Sequence, residues 1–411
     1  MAQRDKGLGS KTAHPQSGPI AGLSRWSALF ILGMVILVDG LDTGMLAQAV
    51  PVIVKQWGLH RSDFGPTLSL ALAGTAVGSG IGGSLGDRIG RRPVLIGSAL
   101  LIAVATAGMA EAPNLAALTF TRIISGLGLG AAMPAASSLM AEIAPARHRS
   151  LAITLGAACV PAGASIGGIL GAFVLNGWGW QALFGVGALF ATVITLSLFT
   201  VPESPSLRSA AAGAAGSPDH DLLGADRRRD TLAYWGAAIL GMFATYSILS
   251  WLPAALGEAG YPLAFAGLAM TMFSLGGLIS GLCCAFAIAA VGLRTVVLTV
   301  TATGALVSAS VVALGVGHNV PQAVLLSLFA LQGASVAVTA VVLYPIGAQI
   351  YPAAMRAAGI GWGVGLGRAA SVASPILAGL LLDRAGARGL YAGVAIAMVG
   401  CFLSLAAIRK A

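Results

Sequence analysis

Residues 202–230, PESPSLRSAAAGAAGSPDHDLLGADRRRD, form the only long polar interruption in a succession of apolar runs. Pro202, Pro205, an Ala/Gly tract and Arg227-Arg228-Arg229 mark it as a flexible linker, too polar and too short to fold alone. A bilayer core is crossed by about 20 apolar residues in a helix. On that measure the spans before the linker are 27–50, 65–85, 93–111, 115–140, 150–175 and 180–201. Those after it are 231–256, 263–290, 294–316, 320–350, 357–382 and 389–408. The sequence therefore predicts an all-α membrane protein with twelve transmembrane helices. A polar N-terminal tail (1–26) precedes one six-helix half (27–201), and the linker joins it to a second (231–411).

Composition supports the same class. Of 411 residues 57% are hydrophobic and 9% charged, with a mean hydropathy of +0.89. Soluble domains carry roughly 25% charged residues, so this chain could not cover an ordinary water-facing surface. A soluble enzyme, a disordered chain and a nucleic-acid binder are excluded on that ground, despite a net charge of +9. The 57 glycines are about twice the usual share and suit helices that pack through small residues. Cys159, Cys283, Cys284 and Cys401 lie in apolar stretches without metal-ligand spacing, and read as small buried hydrophobes. No nucleophile–base arrangement or phosphate-binding loop is present, so neither catalysis nor a cofactor or metal is expected. Residues 1–24 are mixed and polar, unlike a cleaved signal.

Lys and Arg set the orientation. With both termini inside, 17 of them fall in cytoplasmic segments and four (Lys55, Arg61, Arg384, Arg388) outside, a strong positive-inside bias. The expectation is a multi-pass protein of the cytoplasmic (inner) membrane, acting as a monomer in the lipid bilayer. The halves also read as repeats. Pro51 matches Pro253 and Gly90-Arg91-Arg92 matches Gly292-Leu293-Arg294, both 202 residues apart. Residues 144–149 match 351–356 at a spacing of 207. Two halves of like orientation imply a pseudo-two-fold axis along the membrane normal, with a substrate path between them.

Gly83-Ser-Leu-Gly-Asp87-Arg88-Ile-Gly90-Arg91-Arg92, between spans 2 and 3, resembles the signature loop of the major facilitator superfamily. Arg122-Ile-Ile-Ser-Gly126-Leu-Gly128-Leu-Gly130 in span 4 resembles its Arg-x-x-x-Gly-x-Gly pattern. A finer resemblance, to the aromatic acid:proton symporters, rests on Asp39-Gly-Leu-Asp42 in span 1 and Ser250-Trp251-Leu252-Pro253 in span 7. Tyr351-Pro352, Arg356, Gly359 and Gly367-Arg368 support it. The resemblance implies proton-coupled import of a small aromatic carboxylate of benzoate, hydroxybenzoate or phenylpropionate type. Two departures stand out. Ala289 occupies the place where Asp87 would repeat, and the linker is short for such a protein.

The residues carry a physical reading of their own. Asp39 lies about 20 Å beyond Arg25 along a helix, near the bilayer midplane, where a carboxylate costs several kcal/mol unless paired, hydrated or protonated. Asp42, three residues on, shares its face, so the pair suits a proton carrier. The alternative is that one Asp is a fixed ion-pair partner. Arg122 and Arg368 are the cations inside spans, and a guanidinium fork matches a carboxylate. Arg122 could instead lock to Asp39 or Asp42 without meeting substrate, and Arg368 could be a hydrated edge charge. Tyr246, Trp251, Tyr344 and Trp362 are candidates to stack on a substrate ring, though most such residues in membranes serve packing or the interface. Gly83, Asp87, Arg88, Gly90, Arg91 and Arg92 read as a gate, with Glu142 as the latch for the arginines, or else as a purely topogenic positive cluster.

In-span charge suggests how cargo and proton are linked. Two aspartates and two arginines sum to zero, a monoanion adds one negative charge, and one proton restores neutrality. The rivals are a proton-driven efflux antiporter, a sugar or other organic-acid facilitator, and a membrane receptor for an aromatic acid. Gly156-Ala-Ala-Cys-Val160-Pro161-Ala-Gly-Ala164-Ser165 lacks three glycines of the antiporter pattern of span 5, which favours uptake.

Overall fold

The computed structural model of the chain describes residues 24–145, 148–203, 227–316, 320–351 and 356–409. Most of the predicted tail and linker lies outside the described residues, as do Arg147 and Pro352 of the third repeat match. The first half contains α1 (Arg25–Trp57), α2 (Arg61–Ile89), α3 (Arg91–Ala110), α4 (Leu115–Ile143), α5 (Arg149–Val174) and α6 (Gly179–Leu198). After the linker come α7 (Arg228–Glu258), α8 (Leu263–Val291) and α9 (Leu293–Leu314). The next span, α10, runs through Gln322–Gln332, a π-turn at Gly333–Ala337, and Val338–Ile350. Caps fix several starts: Ser24 accepts from the Ser27 N–H at 3.2 Å, and Asn114 from the Ala117 N–H at 2.9 Å.

Arg356–Ala406 is continuous in its helical bonding for 51 residues, which would reach about 75 Å against a core of about 30 Å. It is in fact two spans. Gly386 has φ 62° and ψ −161°, outside any helix, and Leu381 lies against Gly389 and Gly393. The chain therefore folds back at Gly386, giving α11 (356–385) and α12 (387–406). Among the described residues eleven helices are long and apolar enough to cross a membrane, and the last crosses twice, in agreement with the twelve spans of the sequence.

Helices hydrophobic all round need apolar partners within and lipid outside. Phe30, Phe173, Leu189, Phe286 and Ile396 accordingly stay exposed on the rim. Inside, glycine lets backbones touch: a Cβ on Gly40 would stand 1.8 Å from the Val160 carbonyl oxygen, and one on Gly130 2.0 Å from that of Thr75. These contacts set α1 on α5 and α2 on α4, with α3 against α4 and α6. The second half repeats the plan, with α7 on α11, α8 on α10 and α9 on α12.

The repeat extends to backbone detail. Gly58 and Gly260, Gly90 and Gly292, and Gly179 and Gly386 all take positive φ, at spacings of 202, 202 and 207 residues. Arg92 donates to the Leu198 and Phe199 carbonyls at the end of α6. Arg294 donates to those of Ala406 and Ile408 at the end of α12. Each guanidinium thus caps the C-terminal end of the last helix in its own half, where carbonyls are unpaired.

The halves meet along α2–α11 and α5–α8. At one end of the bundle a single apolar cluster joins Val50, Ile53 and Phe64 to Trp251, Ala255 and Leu382 of the other half. At the end bearing the α2–α3 and α8–α9 turns, the clusters around Leu139 and around Leu343 each stay within one half. The bundle is closed at the first end and open at the second.

Candidate functional site

Between the halves lies a cavity of about 420 Å³, within the range of small-molecule sites. Its lining comes from one face of each helix. α8 contributes Phe273, Gly277 and Gly281, and α2 contributes their repeat equivalents Ala71, Thr75 and Ser79. Thr43 of α1 and Thr245 of α7 are likewise equivalent and both line it. The cavity therefore sits on the pseudo-two-fold axis, and most of its wall is apolar, with Leu46, Leu72, Leu129, Leu249 and Leu278 among the lining residues.

The four in-span charges all face this cavity: Asp39, Asp42 and Arg122 from the first half, Arg368 from the second. Their repeat equivalents are Gly241, Ala244, Phe329 and Pro161, so the charges break the symmetry. Arg122 Nη1 donates to both oxygens of Asp42, at 2.7 and 2.8 Å, with both side chains buried. This pair ties α4 to α1. Arg122 Nε, also buried, has no partner. Asp39 and Arg368 are engaged in no side-chain hydrogen bond or ion pair among the described residues. Around them the hydroxyls of Thr43, Thr75, Ser79 and Thr245 turn back onto backbone carbonyls at 2.9–3.1 Å. The charged groups open to a ligand are thus one carboxylate and one guanidinium.

Of the aromatic candidates, Tyr246 lines the cavity. Trp251 does not: it is fully buried, and its Nε1 donates to the Pro375 carbonyl at 2.9 Å, pinning α7 to α11 at the closed end. Trp362 is 59% exposed and tilts against Trp235 with ring centroids 6.3 Å apart, outside the cavity. The side chain of Tyr344 lies outside the described residues. Ser250, the first residue of the span 7 motif, lines the wall, as do Phe273 and Ser274, which sequence reasoning did not single out. The repeat alone could not have found Phe273, because its equivalent Ala71 is recognisable as a cavity position only from the structure.

At the α2–α3 turn, Arg91 pairs with Glu142 of α4. Arg92 instead caps α6, and its N–H donates to Glu203 Oε1 at 3.3 Å. Arg88 is exposed, and the side chain of Asp87 lies outside the described residues. Gly90 joins α2 to α3 at φ 107° and ψ 154°, a conformation that glycine adopts without strain. Gly83 has nothing within 4 Å of where a Cβ would stand.

Residues 32–266 match the family pattern described as Major Facilitator Superfamily. The 4-hydroxybenzoate transporter of Acinetobacter baylyi is 29% identical, over 88% of this chain and 86% of that protein. The 3-(3-hydroxy-phenyl)propionate transporter of Escherichia coli is 32% identical, over 85% of each. Among solved structures, a D-xylose-proton symporter superposes with a TM-score of 0.72 at 20% identity, covering 94% of this chain and 97% of the other. Twelve spans in two like-folded halves around a central cavity agree with the matched pattern, and the chain belongs to the major facilitator superfamily.

Proposed function

We propose that this protein imports a small aromatic carboxylate together with a proton across the cytoplasmic membrane, by alternating access. The observation that carries the reading is the pairing, in one apolar cavity on the pseudo-symmetry axis, of a carboxylate and a guanidinium that no other side chain engages, Asp39 and Arg368. An aryl ring suits the Leu-rich wall beside Tyr246 and Phe273, and a carboxylate suits the Arg368 fork. The similarity to proteins named as transporters of hydroxylated aromatic acids supports the same cargo class.

The chain's own charges supply the coupling. Asp42 and Arg122 neutralise one another and hold α1 on α4, so neither is the mobile partner. Asp39 then carries the proton and Arg368 the substrate carboxylate. With both loaded, the site is neutral and the halves rock. With neither, Asp39 and Arg368 balance across the cavity and the empty carrier returns. A proton alone leaves Arg368 uncompensated in a low-dielectric site, which penalises movement without cargo. The positive-inside bias supports a cytoplasmic location for both termini and the open end. Arg91 and Glu142 brace the turn beside that opening, the place for an inner gate. One chain builds the whole cavity, which supports action as a monomer.

The test is uptake of labelled benzoate, hydroxybenzoates, phenylpropionates, a sugar and an aliphatic dicarboxylate into proteoliposomes under an inward proton gradient. Accumulation of an aromatic acid, abolished by Asp39→Asn, is the expected result. Exchange of a cation or neutral solute against protons would replace the reading by efflux. Binding of an acid without uptake would leave a receptor.

A further inference from the structure

The two seams between the halves are built alike in their middle and differently at their tips. In the α2–α11 seam a Cβ on Gly65 would stand 3.1 Å from Ile376 Cα and 3.2 Å from the Pro375 carbonyl oxygen. In the α5–α8 seam Gly267, the equivalent of Gly65, faces Gly168, the equivalent of Pro375. There Thr271 Oγ1 adds a hydrogen bond across the halves to the Ser165 carbonyl at 3.2 Å. Both seams therefore bring backbones together at the closed end.

Their tips diverge. The Ser62 N–H, in the first turn of α2, donates to Asp383 Oδ2 near the end of α11 at 2.8 Å. Asp63 of α2 itself accepts from the His60 N–H at 3.0 Å. Of the N-terminal donors of α2, one is thus satisfied by its own helix and another by the opposite half. In the α5–α8 seam the residue at the corresponding place is engaged within its own helix. Asn176, which corresponds to Asp383, donates to the Ala172 carbonyl of its own helix at 3.0 Å, and α8 begins at Pro262 with no side-chain cap.

We propose that Asp383 is the clasp of the closed end: a positioning residue that holds the α2 N-terminus against α11 and releases it whenever the cavity opens to that side. The proposal rests on the alternating-access reading above. A carboxylate at a helix N-terminus gains both the hydrogen bond and the positive end of the helix dipole. Because Asp383 is exposed, water replaces the Ser62 N–H with little penalty when the halves part, so the clasp biases the equilibrium without locking it. Arg384 and Arg388 lie on the same exposed turn, and Glu258 approaches Gly386 there. The carboxylate thus works in a mixed field, and its loss is felt at the α2 tip through the hydrogen bond.

The experiment uses the full chain in vesicles, with the four cysteines replaced and Leu68→Cys as reporter. Leu68 lines the cavity and belongs to the apolar cluster that shuts the closed end. A membrane-impermeant maleimide is applied from the closed-end side. Asp383→Asn is expected to raise the labelling rate about two- to fivefold, the range of a single helix-terminus charge, and Asp383→Glu to raise it less. Leu282→Cys, a cavity position towards the open end, is labelled from the opposite side as a second reporter. A shift between two states does not raise labelling there, whereas a loosened fold raises both. An unchanged rate at Leu68→Cys, or an equal rise at both reporters, overturns the clasp. Labelling needs no cargo, so a failed uptake assay with altered labelling removes the substrate reading and leaves the clasp standing.

Discussion

Asp39 and Asp42 are three residues apart and have different surroundings, since Asp42 is held by Arg122 while Asp39 faces the cavity. Asp42→Asn leaves Arg122 buried with its charge uncompensated. Breaking such a pair costs about 3–5 kcal/mol, so the purified variant should melt well below the parent. The double variant Asp42→Asn/Arg122→Gln removes both charges and should recover much of that loss. Asp39→Asn should barely move the melting temperature, yet abolish gradient-driven accumulation while substrate still binds, as read by equilibrium binding against uptake. Arg368→Lys keeps the charge and loses the fork, and a roughly tenfold rise in the KM for the aromatic acid is expected. The sequence made these four residues conspicuous because ionised groups are expensive inside a membrane. It left open which Asp meets which Arg, since that depends on the rotation of α1 against α4. Trp251 was misleading for a related reason: an indole that stacks on a ring and one that pins two helices by its N–H have the same letter and the same span.

At the level of elements, the stiffness of the fold comes from places where a side chain is missing. Gly40→Ala would drive a methyl group into the Val160 carbonyl of α5, and Gly333→Ala into that of Phe273 on α8, 1.7 Å from where the Cβ would stand. Overpacking of this kind costs about 1–3 kcal/mol. The loss should be read as a lower melting temperature for both variants, and as reduced transport for both, because Val160 and Phe273 each line the cavity. Helix existence was legible from hydropathy, and the linker gave the six-and-six division directly. The π-turn in α10 was not legible, since no residue type requires it. It lies in the repeat of the α-helical Gly126–Gly130 region of α4, where Gly-Ala-Ser-Val-Ala replaces Gly-Leu-Gly-Leu-Gly and the backbone is wound differently. The break between α11 and α12 was expected around 382–389, and Gly386 supplies it through a φ of 62° that other residues avoid.

For the whole molecule, the proposed alternating access makes the arrangement closed at one end and open at the other one of two conformations, so accessibility should respond to cargo. With the native cysteines replaced, Met133→Cys, on the cavity wall, should be labelled by an impermeant thiol reagent from the open side and protected by the transported acid. A half-maximal protection that tracks the uptake KM across the panel of acids would tie the cavity to the cargo. Protection by every acid alike would separate them. The pseudo-symmetry of the two halves was visible in the sequence only as three short matches. The structure extends it through paired left-handed glycines and paired arginine caps, features carried by backbone angles and reach.

The broken symmetry of the charges also bears on how the protein is made. The first half encloses Asp39, Asp42 and Arg122 and so carries one net negative charge within its membrane-crossing part, while the second carries one positive charge, on Arg368. Synthesis delivers the first half to the bilayer with Arg122 already matched by a partner from its own α1. Arg368 enters with none, at a cost of about 2.5–3.5 kcal/mol on the scale set by the insertion machinery. The second half thus gains its electrostatic counterpart only by docking against a completed first half, and late assembly is favoured by opposite charges facing one another across the site that later serves transport.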